Sequence, residues 1–259
     1  MILKKFIFII FLLTLVKNEA LADSSTEILL DEGKDYFEGI NGKDRDYAKA
    51  LELFLVAAKQ GSPLADARIA YMYQTGVGVT QDDFEAFKWN LKAANNGELQ
   101  AQYNLALMYQ NGLGTGKSDT NAFKWFKQAA LQGDVSAQIN LGLMYQNGEG
   151  VDKNLDKAFF WYKSAAAQND FMAFYYLGTF YEEGISVKKD EKLAFEYYRK
   201  AALLEYGIGQ YELARCYEYG IGTDKNMSKA IEWYGKAAKR GSDEAIEKLK
   251  ELESKEFRF

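Results

Sequence analysis

The chain of 259 residues carries 37 acidic and 32 basic side chains, a net charge of −5, and is 48% apolar and 15% aromatic. That aromatic content excludes a disordered polymer, and a mildly acidic surface suits neither nucleic acid nor anionic lipid. The absence of histidine and the presence of one cysteine remove His-dependent triads, imidazole acid–base chemistry, His or Cys zinc sites, two-cysteine redox motifs and disulfide frameworks.

In chain order, residues 1–22 have the pattern of a secretory targeting segment. Lys4 and Lys5 precede an apolar run from Phe6 to Val16, interrupted only by Thr14, and Ala20-Leu21-Ala22 supplies a small-x-small cleavage pattern before Asp23. At about 1.5 Å per residue this run spans roughly half of a bilayer's hydrocarbon core, so a membrane anchor is not expected. Cleavage removes a net charge of +2 and takes the chain from −5 to −7. The mature chain is expected to be exported to the periplasm or extracellular space, without membrane insertion. An endoplasmic reticulum lumen is the weaker alternative, because the chain ends Glu256-Phe257-Arg258-Phe259 without a retrieval tail.

From here a period of 36 residues governs the chain. Ala-Ala pairs begin at Ala57, Ala93, Ala129, Ala165, Ala201 and Ala237, and Trp89, Trp125, Trp161, Tyr197 and Trp233 keep the same step. So do Tyr73, Tyr109, Tyr145, Tyr181 and Tyr217, as well as Ile69, Leu105, Leu141, Leu177, Leu213 and Leu249. Each unit reads as two helices. In the first, Ala101, Leu105, Met108 and Tyr109 share one helical face, and Gly76, Gly112, Gly148, Gly184 and Gly220 stand where such a helix stops. A second glycine follows at Gly78, Gly114, Gly150 and Gly222, with Ser186 in the fifth unit. The next helix opens on a capping residue, Asp46, Asp82, Ser118, Asn154, Asp190 or Asn226. It ends at Gly61, Gly97, Gly133, Asn169, Glu205 or Gly241. This second helix places Ala122, Trp125 and Ala129 on one side, so the Trp slot is expected to be core and Trp161→Ala to open a large hole.

The expected organisation is a degenerate capping repeat over 23–64 and five repeats at 65–100, 101–136, 137–172, 173–208 and 209–244. A charged terminal helix follows over 245–259. The fold class is all-α: an α-solenoid of about six 36-residue helix pairs, none of which can bury its apolar face alone.

The fourth unit carries the pattern most fully, with Ala137, Leu141, Gly142, Met144, Tyr145, Gly148, Gly150, Lys157, Ala158, Trp161, Tyr162, Lys163, Ala165 and Ala166. This resembles the Sel-1-like repeat family, over about residues 28–259. The resemblance implies a right-handed superhelix of antiparallel helix pairs and work as a non-catalytic adaptor or scaffold for another protein or peptide. It further implies that the first helix of each pair lines a concave binding surface. Carried onto this chain, the inward positions are Tyr71 and Gln74; Tyr103, Leu107 and Gln110; Leu143 and Gln146; Tyr175, Thr179 and Glu182; Tyr211, Arg215 and Glu218. Ala67 and Ile139 complete the stripe, and Asn104 and Asn140 flank it with amides able to bond a peptide backbone. The drift from glutamine to Glu182 and Glu218 suggests a partner with a basic portion.

No cofactor, metal or catalytic residue is expected. The alternative, an envelope hydrolase like the cysteine-rich β-lactamase-type members of the family, lacks the paired cysteines. Cys216 shares a slot with Met72, Met108, Met144 and Phe180 and reads as packing. Ser186-Val187-Lys188-Lys189 fits S-x-x-K, but without the partner motifs of such enzymes. The acid pairs Asp82-Asp83 and Glu182-Glu183 diverge by about 100° on a helix.

Overall fold

A computed structural model describes residues 24–256, which form thirteen helices and no strand. The expected targeting segment and the last three residues lie outside the described residues. Helix α1 spans 24–38. It is followed by α2 (Tyr47–Lys59), α3 (Pro63–Thr75), α4 (Asp83–Asn95), α5 (Leu99–Asn111), α6 (Asp119–Leu131) and α7 (Val135–Asn147). The remainder are α8 (Leu155–Ala166), α9 (Phe171–Glu183), α10 (Glu191–Leu203), α11 (Gly207–Tyr219), α12 (Met227–Lys239) and α13 (Asp243–Glu256). By contact the chain divides into two compact units, Met1–Trp125 and Phe126–Phe259, so the division falls within α6.

Local chemistry explains the helix boundaries. Each second helix opens on the expected cap: Asp46, Asp82, Ser118, Asn154, Asp190 and Asn226 all accept hydrogen bonds from amides two or three residues on. The first helices other than α11, and the terminal α13, are capped as well, which the sequence did not lead one to expect. Ser62, Glu98, Asp134, Asp170 and Ser242 accept from the amides of Ala65, Ala101, Ala137, Ala173 and Ala245. Such a cap contributes about 1 kcal/mol. At the C-termini, Gly76 through Gly220 adopt the left-handed conformation expected of them, with φ between 72° and 79°. Glu205 and Ser186 hold positive φ of 60° and 54° at glycine positions of the other repeats.

The core differs from expectation in one slot. Trp125 is buried, but Trp89, Trp161, Tyr197 and Trp233 are only partly so. The sealed position lies one residue later, at Phe54, Asn90, Phe126, Tyr162, Tyr198 and Tyr234, each 2% exposed or less. A step of one residue rotates a side chain by about 100°, which moves the Trp slot to the margin of the buried face. In the second unit the Tyr162 ring stacks on Tyr176 at 4.6 Å, and the Tyr198 ring lies 6.3 Å from Tyr175. Gly142 and Gly178 make room for these rings, because a Cβ there would stand 2.5 Å and 2.6 Å from them. Alanines fill the remaining helix contacts, among them Ala65, Ala101, Ala137, Ala173 and Ala214, all fully buried. Cys216 is a free, buried thiol in its apolar slot, packed with Ala194 and Tyr198.

Candidate functional site

The sequence-derived stripe lies on α3 and α5 in the first unit and on α7, α9 and α11 in the second. Steps of four and three residues keep its members on one face of each helix. These helices bury alanines such as Ala101 and Ala137 and leucines such as Leu105 and Leu141, and leave the stripe residues partly open to solvent. Ile139 departs from this pattern, being 4% exposed where Tyr103 and Tyr175 are half-buried.

In the first unit the stripe is neutral. Tyr71 is 47% exposed, and its ring edge meets Phe37 at 6.1 Å. Gln74, Tyr103, Leu107 and Gln110 are half-buried, and Asn104 accepts from Gln100 at 3.0 Å.

In the second unit part of the stripe is already engaged. Asn140 donates back to the Ser136 carbonyl, and Leu143 stands half-buried one turn further on. The last stripe position of each first helix accepts a hydrogen bond from the sealed tyrosine of the second helix, sixteen residues on. Thus Tyr162 donates to Gln146 at 2.7 Å, Tyr198 to Glu182 at 2.8 Å and Tyr234 to Glu218 at 2.6 Å. Burial drives the hydroxyl pKa of all three tyrosines upward, so they remain donors.

The two acids of the stripe are also met by cations. Arg215 donates to Glu182 at 2.5 Å and to Glu212 at 2.6 Å, and Lys248 on α13 pairs with Glu218 at 2.9 Å. The negative drift inferred from the sequence is therefore largely answered within the chain. Glu212 was missed by sequence reasoning. It shares the slot of Asn104 and Asn140, and burial holds its carboxyl above the ordinary range despite the Arg215 charge and hydrogen bond. The signal that could have exposed this network is the repeated offset of sixteen between Gln146 or Glu and a tyrosine.

The groups weighed for other chemistry have structural duties. Asp82 caps α4, Glu182 is ion-paired, and Ser186 sits exposed in a left-handed turn. Burial pushes the Cys216 thiol up to about 12, far from a reactive thiolate. Among the described residues no cluster of His, Cys, Asp and Glu could hold a metal ion, and no helix is long and apolar enough to cross a membrane.

Comparison with known proteins fits this architecture. A crystal structure of a protective antigen from uropathogenic Escherichia coli, described as displaying an SLR fold, superposes with a TM-score of 0.83 at 33% identity. The match covers 91% of this chain and 50% of that one, so the chain spans half the length of the antigen. A Sel1 repeat protein from Oxalobacter formigenes gives a TM-score of 0.78 at 33% identity, covering 85% of this chain and 86% of that one. A segment of 56 residues is 45% identical to chitin synthase regulatory factor 3 of Schizosaccharomyces pombe, which amounts to 22% of this chain and 6% of that protein. The Sel1 repeat model matches residues 33–62, 63–98, 99–134, 135–170, 172–206 and 207–242, and the chain accordingly belongs to the Sel1 repeat family.

Proposed function

We propose that the protein is an exported, non-catalytic adaptor that binds another protein or a peptide along the stripe of its first helices. The observation that carries this reading is the partial exposure, helix by helix, of Tyr, Leu, Gln and Asn side chains on one face of each first helix, α3 and α5 in the first unit and α7, α9 and α11 in the second. Half-buried tyrosines with restricted rotamers are efficient anchors, because little side-chain freedom is lost on binding. The amides of Gln74, Gln110 and Asn104 offer donors and acceptors to a peptide backbone. The repeat fold is consistent with a protein-interaction scaffold, and the pattern of residues 1–22 supports the export reading.

The test is affinity capture from the envelope and culture fluid of the source cells, comparing wild type with the Tyr175→Ala/Tyr211→Ala variant. A partner retained by wild type and lost by a variant of unchanged helicity supports the stripe. Equal capture by both moves the site elsewhere. Recovery of the protein only from the cytosolic fraction would remove the export reading.

A further inference from the structure

The turn between α10 and α11 departs from its counterparts in composition. Leu204 stands where the other repeats have Gln60, Asn96, Gln132, Gln168 and Arg240, and it is 40% exposed beside Leu203 at 60%. Tyr206 occupies the position of the capping residues Ser62, Glu98, Asp134, Asp170 and Ser242 and makes no side-chain cap of its own. A cap has been exchanged for an aromatic ring.

That ring belongs to a terrace. Tyr206 lies 4.8 Å from Phe171, which is 38% exposed, and 6.0 Å from Tyr175, whose ring is 5.2 Å from Tyr176. Ile208, 47% exposed, extends the apolar surface beyond Tyr206. The hydroxyls of Tyr176, Tyr206 and Tyr211 make no hydrogen bond among the described residues. Further along the stripe, the carboxylates of Glu182, Glu212 and Glu218 outnumber the cations of Arg215 and Lys248 that pair with them. The surface thus offers flat rings, hydroxyl donors with nothing to bond, and an excess of negative charge at one end.

Resting on the binding reading above, we propose that this terrace holds a proline-rich segment in the polyproline II conformation, with a lysine or arginine reaching toward Glu212. A polyproline II strand has no internal hydrogen bonds, so its carbonyls project outward as acceptors for tyrosine hydroxyls. Its pyrrolidine rings pack on aromatic rings, and its fixed φ limits the entropy lost on binding. An α-helix keeps its carbonyls bonded internally and would leave these donors unanswered. The acidic end complements a cation and disfavours an acidic ligand.

The experiment titrates the full chain with synthetic fluorescent peptides of about a dozen residues, proline-rich around a central arginine. One control replaces every proline by alanine, and another replaces the arginine by glutamate. The proline peptide is expected to bind, and the alanine peptide to lose binding. The glutamate peptide should weaken by about tenfold or more. Tyr206→Phe and Tyr211→Phe should each cost about three- to tenfold while melting like wild type. Equal affinity for the alanine peptide, or no effect of either Tyr→Phe change, would overturn the proposal. An unbiased displayed peptide library on the same protein separates the two readings. Ligands that are not proline-rich but need Tyr175 and Tyr211 overturn the occupant alone, whereas a library yielding no ligand overturns both.

Discussion

Lys92 joins two groups that three other repeats connect directly: its ammonium lies 2.7 Å from the Asp66 carboxylate and 3.3 Å from the Ala58 carbonyl at the end of α2. In the corresponding places Gln102 donates to the Ala94 carbonyl, Gln138 to Ala130 and Gln210 to Ala202. Those glutamines satisfy the last carbonyls of the preceding helix without bringing a charge inside. Asp66 cannot donate, so the lysine takes over, and the carboxylate is left 1% exposed with its Oδ2 unbonded.

Removing the lysine should therefore cost more than a surface ion pair would. Lys92→Met is expected to destabilise the protein by about 3 kcal/mol, since a buried charge loses its partner. Asp66→Gln should be neutral or stabilising, because it restores the direct bond that Gln102, Gln138 and Gln210 make. Urea denaturation of both variants checks this, and a destabilised Asp66→Gln would contradict the assignment. The pH dependence has a definite sign. Burial raises the Asp66 pKa above its ordinary 3.8, against the opposing Lys92 contacts. The ionised form is thus penalised in the fold, and the advantage of Asp66→Gln should shrink as pH falls through that raised value toward 3.8.

The sealed tyrosine makes a second test. Tyr162→Ala should cost about 3–5 kcal/mol, and the partly exposed neighbour Trp161→Ala clearly less. Tyr162→Phe removes only the bond to Gln146 and should cost about 1 kcal/mol. Gly142→Ala, whose Cβ would meet the Tyr162 ring at 2.5 Å, should cost about 1–3 kcal/mol. A larger loss from Trp161→Ala than from Tyr162→Ala in thermal melts would contradict the observed register.

Glu218 gives the opposite pH behaviour to Asp66. Burial works against its charge, but hydrogen bonds from Tyr234, Lys248 and Tyr219 and the Lys248 charge outweigh it and hold the carboxyl below its ordinary 4.5. Its stabilisation is full above pH 4.5 and is lost as pH falls through the depressed value. Glu218→Gln should therefore melt below wild type at neutral pH and converge with it in acid. Because Lys248 lies on α13, amide exchange of that helix should speed up selectively in the variant. A constant difference across the pH range would remove Glu218 as the source.

Cys216 offers a direct probe of packing. With its thiol pushed up to about 12 by burial, alkylation at pH 8 should proceed only on unfolding. Rapid labelling of the native chain would show that the slot is open.

The features legible in the sequence were those written within a few residues. Asp46, Asp82 and Asn226 announce helix starts because a short side chain bonds an amide close by, and Gly112 or Gly148 announces a stop because the backbone there requires positive φ. The stripe positions came from the family resemblance, carried onto this chain at the fixed spacing of its repeats. The Tyr162 slot was obscured by the tryptophan beside it, although the fully buried residues there include the polar Asn90 as well as Phe54 and Tyr198. The pairing of Glu182 with Arg215 was not legible, because it joins side chains 33 residues apart through a geometry that no single repeat contains. For the same reason Glu182 and Glu218 read as free charges until their partners were located.

Photo-crosslinking tests binding along the first-helix stripe most directly. A benzoylphenylalanine is placed at Leu143 or Tyr211 on the stripe, or at Phe160, which is 58% exposed on α8, and each variant is irradiated in the source cells. One discrete protein or peptide adduct is expected from the stripe positions and none from Phe160. Adducts from Phe160 alone, or equal labelling from all three, would contradict binding along the stripe.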